Sequence, residues 1–248
     1  MRVLVVLPTY NEVENIQNVL QAVRESLPEA SVLVVDDNSP DGTADLAEKL
    51  GEQLGRIEVM RRPGKSGLGS AYRDGFRFGL EAGYEALVEM DSDLSHDPKA
   101  LPSLVAPLQT GHDVVIGSRY VPGGAIPDWS LSRRLISRGG NVFAAFMLGL
   151  DVKDSTAGYR AYSSAILRRI DLDSIRADSY GFQIEMTYRT LAAGARIKEV
   201  PITFVDRTLG TSKMSTYTVL EAFALVTWWG VQRALKSLAR QARRARRT

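Results

Sequence analysis

The chain has 248 residues, of which 44% are hydrophobic and 24% are charged, so it can bury the core of one large globular domain. It contains no cysteine, which excludes disulfide bonds and thiolate metal sites. The formal net charge is only +2, but residues 233–248 hold seven arginine or lysine residues and no acidic residue. The other 24 basic residues face all 29 acidic residues, so a mildly acidic body bears a basic tail.

Short β-branched runs alternate with helical patterns through the first half of the chain. Runs that predict strands buried on both faces lie at residues 3–7, 31–35, 86–88 and 113–116. Amphipathic patterns that predict helices lie at residues 13–26, 43–54, 69–81 and 99–108. Because strands that alternate with helices form parallel sheets with right-handed crossovers, we predict an α/β fold. Its Rossmann-like, mostly parallel sheet should be flanked by helices.

The second half is less regular. Helical patterns lie at residues 131–150, 182–193 and 217–238, and a strand pattern lies at residues 196–205. The most apolar part of the last helix is about ten residues long, whereas a membrane-spanning helix needs roughly 20, so we predict no transmembrane segment.

The last helical pattern combines Trp228 and Trp229 with the basic tail. Apolar aromatic residues followed by a cationic end are typical of a helix that lies in a membrane interface. The alternative for the helix is packing on the body or on a partner chain. The alternative for the tail is a solvated, disordered end.

Acidic side chains follow three of the four strands predicted in the first half. The strand exits read Pro8-Thr-Tyr-Asn-Glu12, Asp36-Asp37-Asn38, Asp91-Ser92-Asp93 and Gly117-Ser118-Arg119. Ligands of open parallel sheets bind beyond the carboxyl ends of the strands, so these segments should converge on one edge. Converging carboxylates repel one another unless a cation or hydrogen-bond donors offset their charge.

This acidic edge predicts a site for a metal-bound nucleotide diphosphate. Mg²⁺ is typically held by one or two carboxylates together with substrate phosphates, and carboxylates also accept hydrogen bonds from ribose hydroxyls and base N–H groups. Arg119 adds a cation at the same edge.

Other candidate sites are not supported by the sequence. Gly64-Lys65-Ser66 lacks the earlier glycine of a phosphate loop, because position 59 is Val59. The only histidines, His96 and His112, form no metal-ligand pair.

Several segments are recognisable as motifs. In the first half they read Val5-Val-Leu-Pro-Thr-Tyr-Asn-Glu12, Val34-Val-Asp-Asp-Asn-Ser-Pro-Asp-Gly-Thr43, Glu89-Met-Asp-Ser-Asp-Leu-Ser-His96 and Gly117-Ser-Arg-Tyr120. Later they read Trp129-Ser-Leu-Ser-Arg-Arg-Leu-Ile-Ser-Arg-Gly-Gly-Asn141, Asp154-Ser-Thr-Ala-Gly-Tyr-Arg160 and Arg207-x-x-Gly-x-Ser-Lys213. From residue 3 to about 215, the chain thus resembles the inverting family-2 nucleotide-sugar glycosyltransferases. More narrowly, it resembles the polyprenol-phosphate mannose synthases, also called dolichol-phosphate mannosyltransferases.

The resemblance implies a glycosyltransferase A-type fold. It also implies inverting transfer of mannose from GDP-mannose to a polyprenyl phosphate, with Mg²⁺ or Mn²⁺. It assigns guanosine contacts to Pro8, Tyr10, Glu12, Val35 and Asp37. It assigns the metal and diphosphate to Asp91 and Asp93, a nucleotide contact to Ser92, and phosphate contacts to Arg119, Arg207 and Lys213. The residues expected to be catalytic are Asp91, Asp93 and Arg119.

One position departs from the family pattern. Ser95 stands where many relatives have a glutamine as a third metal ligand. A serine hydroxyl is shorter and a weaker ligand, so an extra water should complete the coordination there. The preference between Mg²⁺ and Mn²⁺ therefore stays open.

The acceptor that the resemblance implies is a phosphate monoester, whose second pKa is about 6. It is mostly ionised at neutral pH, so no dedicated general base is required. The site must instead hold two anions together, and we assign the acceptor phosphate to Arg133, Arg134 and Ser137. For the two arginines, an ordinary solvated helix face is the alternative.

These assignments divide the chain into a catalytic domain at residues 1–215 and an amphipathic helix with a basic tail at residues 216–248. The tail predicts contact with an anionic membrane surface, with a separate membrane-anchor protein as a possible partner. The expected location is cytoplasmic, peripheral on the cytoplasmic face of a membrane.

Two other functions compete with this interpretation. A UDP-sugar-dependent, glucosyl-type polyprenyl-phosphate transferase is the alternative within the enzyme class. A noncatalytic nucleotide or nucleic-acid binder is disfavoured, because the acidic exits repel phosphates without a metal. The basic tail also lacks interleaved aromatic residues, so we predict no nucleic-acid partner.

Overall fold

The computed structural model describes residues 1–175, 177–206 and 216–245, with the backbone alone for residues 180, 216–220 and 236–245. The first half contains β1 (Val3–Thr9), α1 (Val13–Ser26), β2 (Ser31–Asp36), α2 (Thr43–Leu54), β3 (Ile57–Arg61), α3 (Leu68–Glu81), β4 (Ala86–Glu89), α4 (Leu101–Gln109) and β5 (Val114–Ser118). The second half contains α5 (Leu131–Leu148), β6 (Arg160–Ser163), α6 (Ser164–Arg169), α7 (Ser179–Ala192), β7 (Ile197–Pro201) and α8 (Thr216–Ala245).

One sheet of seven strands, in the order β3-β2-β1-β4-β6-β5-β7, organises the described residues. Strand β6 runs antiparallel to β4 and β5, and the other neighbouring pairs are parallel. Arg160, the first residue of β6, pairs with Glu89 of β4 and Ile116 of β5. The segment before β6 therefore reaches the edge where the parallel strands end.

The sheet is buried on both faces, as continuous apolar strands predict. In β1, Val5 and Leu7 pack on the face covered by α1 and α4, whereas Leu4 and Val6 pack on the opposite face with α3 and α7. Helix α3 lies very close to β1, because a Cβ atom at Gly75 would stand 2.4 Å from Val6 Cγ1. The two apolar cores fix the strand register, and with it the positions of the strand exits.

The predicted α/β class with a mostly parallel sheet is confirmed, but the prediction lacked β3, β6 and α6. Strand β3 is a short edge strand whose side chains are only partly buried. Strand β6 begins with the charged Arg160, so neither strand shows a long apolar run. The predicted strand at residues 196–205 is shorter, at Ile197–Pro201.

The C-terminal helix agrees with the predicted amphipathic element and packs against α5 and α7. Among the described residues, no helix combines the length and apolar character needed to cross a membrane.

Candidate active site

The loops that follow β1 and β2 are joined by side-chain hydrogen bonds. Thr9 Oγ1 donates to Asp36 Oδ2 at 2.8 Å. Ser39 donates to the carboxylate of Asp36 through its backbone N–H at 2.8 Å and its hydroxyl at 2.6 Å. The Asn11 N–H, in turn, donates to Ser39 Oγ at 3.0 Å. Asp36 therefore holds the two loops together, whereas Asp37 meets a different set of partners.

The β1 exit places the residues predicted to contact guanosine next to other strand exits. The Pro8 carbonyl accepts a hydrogen bond from Ser92 Oγ at 2.9 Å, which ties the β1 exit to the β4 exit. The Glu12 N–H donates to Thr43 Oγ1, and its carboxylate accepts from Asn15 Nδ2, both at 2.9 Å. Lys65 Nζ lies 4.5 Å from the centroid of the Tyr10 ring.

Asp37 is held by a cation that the sequence did not point to. Arg62 follows β3, and its Nη1 donates to Asp37 Oδ1. The same guanidinium contacts Asp74 Oδ2 through Nε at 3.0 Å and Ser70 Oγ through Nη2 at 2.5 Å. Both Asp37 and Arg62 are buried, so solvent screens this ion pair little.

The Asp91-Ser92-Asp93 segment forms a compact turn directly after β4. Asp91 Oδ1 accepts from Tyr72 Oη at 3.3 Å. Burial and the charge of Asp91 raise the pKa of Tyr72 well above its ordinary value, so its hydroxyl stays a donor. Asp93 Oδ1 accepts from the backbone N–H of Ser95 at 3.1 Å and from its hydroxyl at 2.5 Å. Leu94 between them adopts a φ of 62°, which closes the turn.

This turn supplies some, but not all, of the oxygen ligands that a hard divalent cation needs. Among the described residues, no group of three or more His, Cys, Asp or Glu side chains could hold a metal ion. Asp91 and Asp93 supply carboxylate oxygens, and a Mg²⁺ site of one or two carboxylates is commonly completed by substrate phosphates and water. Such a cation fits the two aspartates. The hydroxyl of Ser95, the predicted third ligand, donates a hydrogen bond to Asp93 Oδ1. Its contact with a metal stays a prediction.

A second carboxylate lies deeper, beneath the turn. Glu89 is fully buried, and within the described part of the chain neither carboxylate oxygen meets hydrogen-bond geometry with a partner. Burial raises the pKa of Glu89 to about 7, against the opposing charge of Arg160 and nearby Gln183 and Tyr162. Glu89 therefore keeps its proton to a higher pH than an exposed glutamate does.

Arg119 lies in a buried ion pair at the exit of β5. It grips Asp154 with Nε to Oδ2 at 2.8 Å and Nη2 to Oδ1 at 2.7 Å, and Nη2 also donates to Thr156 Oγ1 at 2.8 Å. Its Cζ lies 5.3 Å from the centroid of the Trp129 ring. Burial alone would raise the pKa of Asp154, but the charge and hydrogen bonds of Arg119 hold that pKa below its usual value. Asp154 stays ionised and orients Arg119.

The three residues assigned to the acceptor phosphate have different surroundings. Arg133 pairs with Asp206 at 2.7 Å and lies over Trp129, with Cζ 3.9 Å from the ring centroid. The Ser137 hydroxyl lies 2.7 Å from Tyr120 Oη. The Arg134 guanidinium donates to the carbonyls of Trp129, Ile126 and Pro127 at 2.9–3.0 Å. Arg134 thus supports the loop before α5, and its phosphate contact stays a prediction.

A cavity of about 250 Å³ opens between α5 and α8 next to Arg133 and Ser137. Its wall is mostly apolar, and its lining includes Trp129, Ile136, Phe143, Ile184, Phe223 and Val226. Thr156, which accepts a hydrogen bond from Arg119, also lines it. The cavity therefore adjoins the Arg119 end of the site.

Some of the residues that the sequence predicted for the site are buried or lie outside the described residues. Val35 has no exposed surface, so its predicted contact with guanosine stays a prediction. Arg207 and Lys213 lie outside the described residues. Sequence reasoning missed Arg62, Asp154 and Glu89 as site residues. Asp154 and Glu89 stand in quoted motifs without an assigned role, whereas Arg62 had no signal because β3 was not predicted.

The sequence profile described as glycosyl transferase family 2 matches residues 4–171. The chain belongs to glycosyltransferase family 2. One relative is named undecaprenyl-phosphate mannosyltransferase and comes from Micrococcus luteus. It is 53% identical to this chain over 231 residues, which cover 93% of this chain and 95% of that protein. A polyprenol monophosphomannose synthase from Mycolicibacterium smegmatis is 46% identical over 232 residues, with 93% and 88% covered.

One solved structure agrees with this chain in fold. It is glucosyl-3-phosphoglycerate synthase from Mycobacterium tuberculosis, in complex with Mn²⁺, UDP-glucose and phosphoglyceric acid. Its TM-score is 0.66 at 22% identity, over 91% of this chain and 78% of that one. At that identity the likeness concerns the fold alone. Together these findings confirm the resemblance to polyprenol-phosphate mannose synthases, the A-type fold class and the glycosyltransferase activity.

Proposed function

We propose that this glycosyltransferase moves mannose from GDP-mannose to a polyprenyl phosphate with inversion at the anomeric carbon, assisted by Mg²⁺ or Mn²⁺. The observation that supports it most directly is the mostly apolar cavity beside Arg133 and Ser137, adjoining the Arg119 end of the acidic edge. A phosphate held there would place its lipid chain against apolar walls and its charge beside cationic side chains. The names of the two curated relatives agree with this acceptor and sugar.

On the donor side, the exits of β1, β2 and β4 would hold the nucleotide. Tyr10, Glu12 and Asp37 would face the guanosine, and Asp91 and Asp93 would hold the cation with the diphosphate. When bound, that cation offsets the charge that develops on the leaving diphosphate. Glu89, buried beneath the turn, would raise the local negative charge when ionised and so favour a bound cation.

On the acceptor side, the nucleophile brings its own negative charge. Arg133 would hold the acceptor phosphate, with the Ser137 hydroxyl as a further hydrogen-bond group. Asp154 fixes Arg119 in a bidentate pair, so the guanidinium would present a set direction to a phosphate. Because a phosphate oxygen needs no deprotonation at neutral pH, the residues only have to position it for attack on the opposite face of the sugar.

The acceptor is a lipid, and we propose that α5 and α8 face the membrane that contains it. Leu131, Leu135, Val142 and Phe146 of α5 are each at least 70% exposed. Their spacing places them on one stripe of the helix. The spacing of Trp228, Val231 and Leu235 gives α8 a similar exposed stripe. The two helices pack together through Phe143 and Phe223, whose ring centroids are 4.8 Å apart.

Apolar stripes next to a basic segment match a surface that lies in the interface of an anionic bilayer. In this proposal residues 1–215 form the catalytic domain, and residues 216–248 add a membrane contact on the cytoplasmic face. A separate membrane-anchor protein could share the same helices.

The test is transfer of radiolabelled mannose from GDP-mannose to short- and long-chain polyprenyl phosphates, with and without EDTA. We expect a lipid-linked product with GDP-mannose that EDTA abolishes and added Mg²⁺ or Mn²⁺ restores. A parallel assay replaces the donor with radiolabelled UDP-glucose, and label transfer from that donor alone would overturn GDP-mannose and favour the glucosyl-type alternative. Transfer that persists in EDTA would overturn the metal assignment.

A further inference from the structure

The exit of β3 brings an arginine into the nucleoside end of the site. Arg62 lies one residue beyond β3, and its backbone N–H donates to the Asp36 carbonyl at 2.8 Å, which continues the sheet ladder. Its side chain is buried and joins three acceptors, namely Asp37, Asp74 and Ser70. Asp74 and Ser70 belong to α3. Arg62 therefore connects the β2 exit rigidly to a helix of the core.

We propose that Arg62 is a positioning residue that fixes the Asp37 carboxylate for recognition of the nucleotide base. The inference rests on the proposed function, in which Asp37 faces the guanosine, and it adds the residue that orients Asp37 for base selectivity. Arg62 does not have to touch the nucleotide for this role. It acts by limiting the directions in which the Asp37 oxygens can accept further hydrogen bonds.

The carboxylate retains the capacity to bind a base in this arrangement. A carboxylate has about four lone-pair sites, and Arg62 uses one on Oδ1. The Ser66 N–H lies 3.4 Å from Oδ2, a long hydrogen bond. Guanine presents two neighbouring N–H donors, on N1 and on the 2-amino group, and a fixed carboxylate accepts such a pair in parallel. Hypoxanthine lacks the 2-amino group and offers one donor on that edge.

The connection between β3 and α3 strengthens the placement. Residues 63–67 cross over two residues assigned to the nucleoside, because Lys65 contacts the Tyr10 ring and Ser66 approaches Asp37. The far end of this connection is anchored by Asp178, which accepts from the Gly69 N–H at 2.6 Å. Gly67 has a φ of 91° and no room for a Cβ beside Asp178, so the chain path there is fixed. The loop is thus held between Arg62 and Asp178.

Arg62 supplies both a charge and a planar fork, and a lysine could replace only the charge. Asp37 and Asp74 would lie close together without the guanidinium between them, and like charges would push the Asp37 carboxylate to another rotamer. An arginine bridges three acceptors with its planar fork, whereas a lysine offers one compact cation. Arg62→Lys therefore keeps the charge and loses the alignment.

The experiment measures binding of GDP, IDP and UDP by calorimetry, in the presence of Mg²⁺, for the wild type and for Arg62→Lys, Arg62→Met and Asp74→Asn. The matched control is Arg61→Lys, because Arg61 is the neighbouring arginine but makes surface ion pairs with Asp45 and Glu48. We expect the GDP-to-IDP preference to fall about tenfold in Arg62→Lys, as for loss of one charge-assisted hydrogen bond. Binding of inorganic pyrophosphate should stay unchanged in all variants.

An unchanged GDP-to-IDP preference in folded Arg62→Lys would overturn the proposal. If Arg62→Met fails to fold, Arg62→Lys still decides the question. Equal losses for GDP, IDP and pyrophosphate would also overturn it, because they indicate a merely structural role. A wild type that prefers UDP would instead overturn the proposed donor. The positioning role of Arg62 would then be tested by the UDP-to-CDP binding preference of the same variants, because cytosine lacks the N3–H donor of uracil.

Discussion

Arg119 and Asp154 form a bidentate ion pair in which Asp154 has no exposed surface and Arg119 is almost completely buried. Arg119 directly follows β5, and Asp154 lies in the loop before β6. The backbone N–H groups of Lys153 and Asp154 donate to Glu199 of β7, at 2.8 and 3.0 Å, so the loop itself is held from the sheet. The orientation of Arg119 is thus determined by three separate parts of the fold.

The first prediction concerns this pair. Asp154→Ala should destabilise the fold by about 3–5 kcal/mol, because it leaves a buried arginine without its counter-charge. Asp154→Asn should cost less stability but still lower transfer, because the neutral amide cannot hold Arg119 bidentately. Chemical denaturation and mannose transfer measure the two effects. Asp151→Asn, an exposed neighbour, is the control and should change neither.

The second prediction concerns the aspartates after β4. Asp93→Asn should lower metal-dependent transfer by about a hundredfold or more, because a neutral amide binds a divalent cation weakly, while the fold persists. Transfer at ordinary Mg²⁺ concentration and circular dichroism provide the readouts. The exposed Asp45→Asn variant serves as the matched control. Turnover retained by Asp93→Asn would show that Asp93 is not a metal ligand.

The third prediction concerns the exposed faces of α5 and α8. Removal of residues 233–248 should weaken binding to anionic vesicles, since each basic residue near the surface contributes about 1 kcal/mol. Phe146→Ser should weaken binding by about tenfold through loss of apolar burial, with little effect on stability because Phe146 is 82% exposed. Vesicle sedimentation measures both variants.

Neutral vesicles separate the two contributions to membrane binding. On them the loss from Phe146→Ser should persist, whereas the loss from the tail deletion should largely disappear. Unchanged sedimentation of both variants with anionic vesicles would contradict a membrane role for these helices.

The fourth prediction is a pH dependence caused by Glu89. Its pKa rises from 4.5 to about 7 on folding, so the folded state binds more protons than the unfolded state between these values. The contribution of Glu89 to the free energy of unfolding should therefore fall as the pH rises from 4.5 to 7, and stay constant above pH 7. Glu89→Gln removes the titration.

Urea denaturation checks the Glu89 prediction at two pH values. The stability of Glu89→Gln minus that of the wild type should be larger at pH 8 than at pH 5, by on the order of 2 kcal/mol. The exposed Glu25→Gln variant is the control and should show no such change. An equal stability difference at both pH values would mean that Glu89 is ionised throughout.

Much of the fold was predictable because the signals are local. The strands β1, β2, β4 and β5 are continuous apolar runs, and a strand buried on both faces requires such a run. Strands β3 and β6 were missed because neither contains a long apolar run. The first lies half-exposed at the edge of the sheet, and the second opens with Arg160, whose charge is satisfied by the Ser155, Ala157 and Gln183 carbonyls and Thr187.

By itself, the sequence determined the alternation of strands and helices, the acidic strand exits and the family motifs, because periodicity and turn chemistry are written in neighbouring residues. Only the tertiary structure decided the partners of those exits. Arg62 meets Asp37 from 25 residues away, and Asp154 meets Arg119 from 35 residues away. Both contacts depend on strand order, and strand order is set by how the two apolar cores close around the sheet, a property that no local pattern contains.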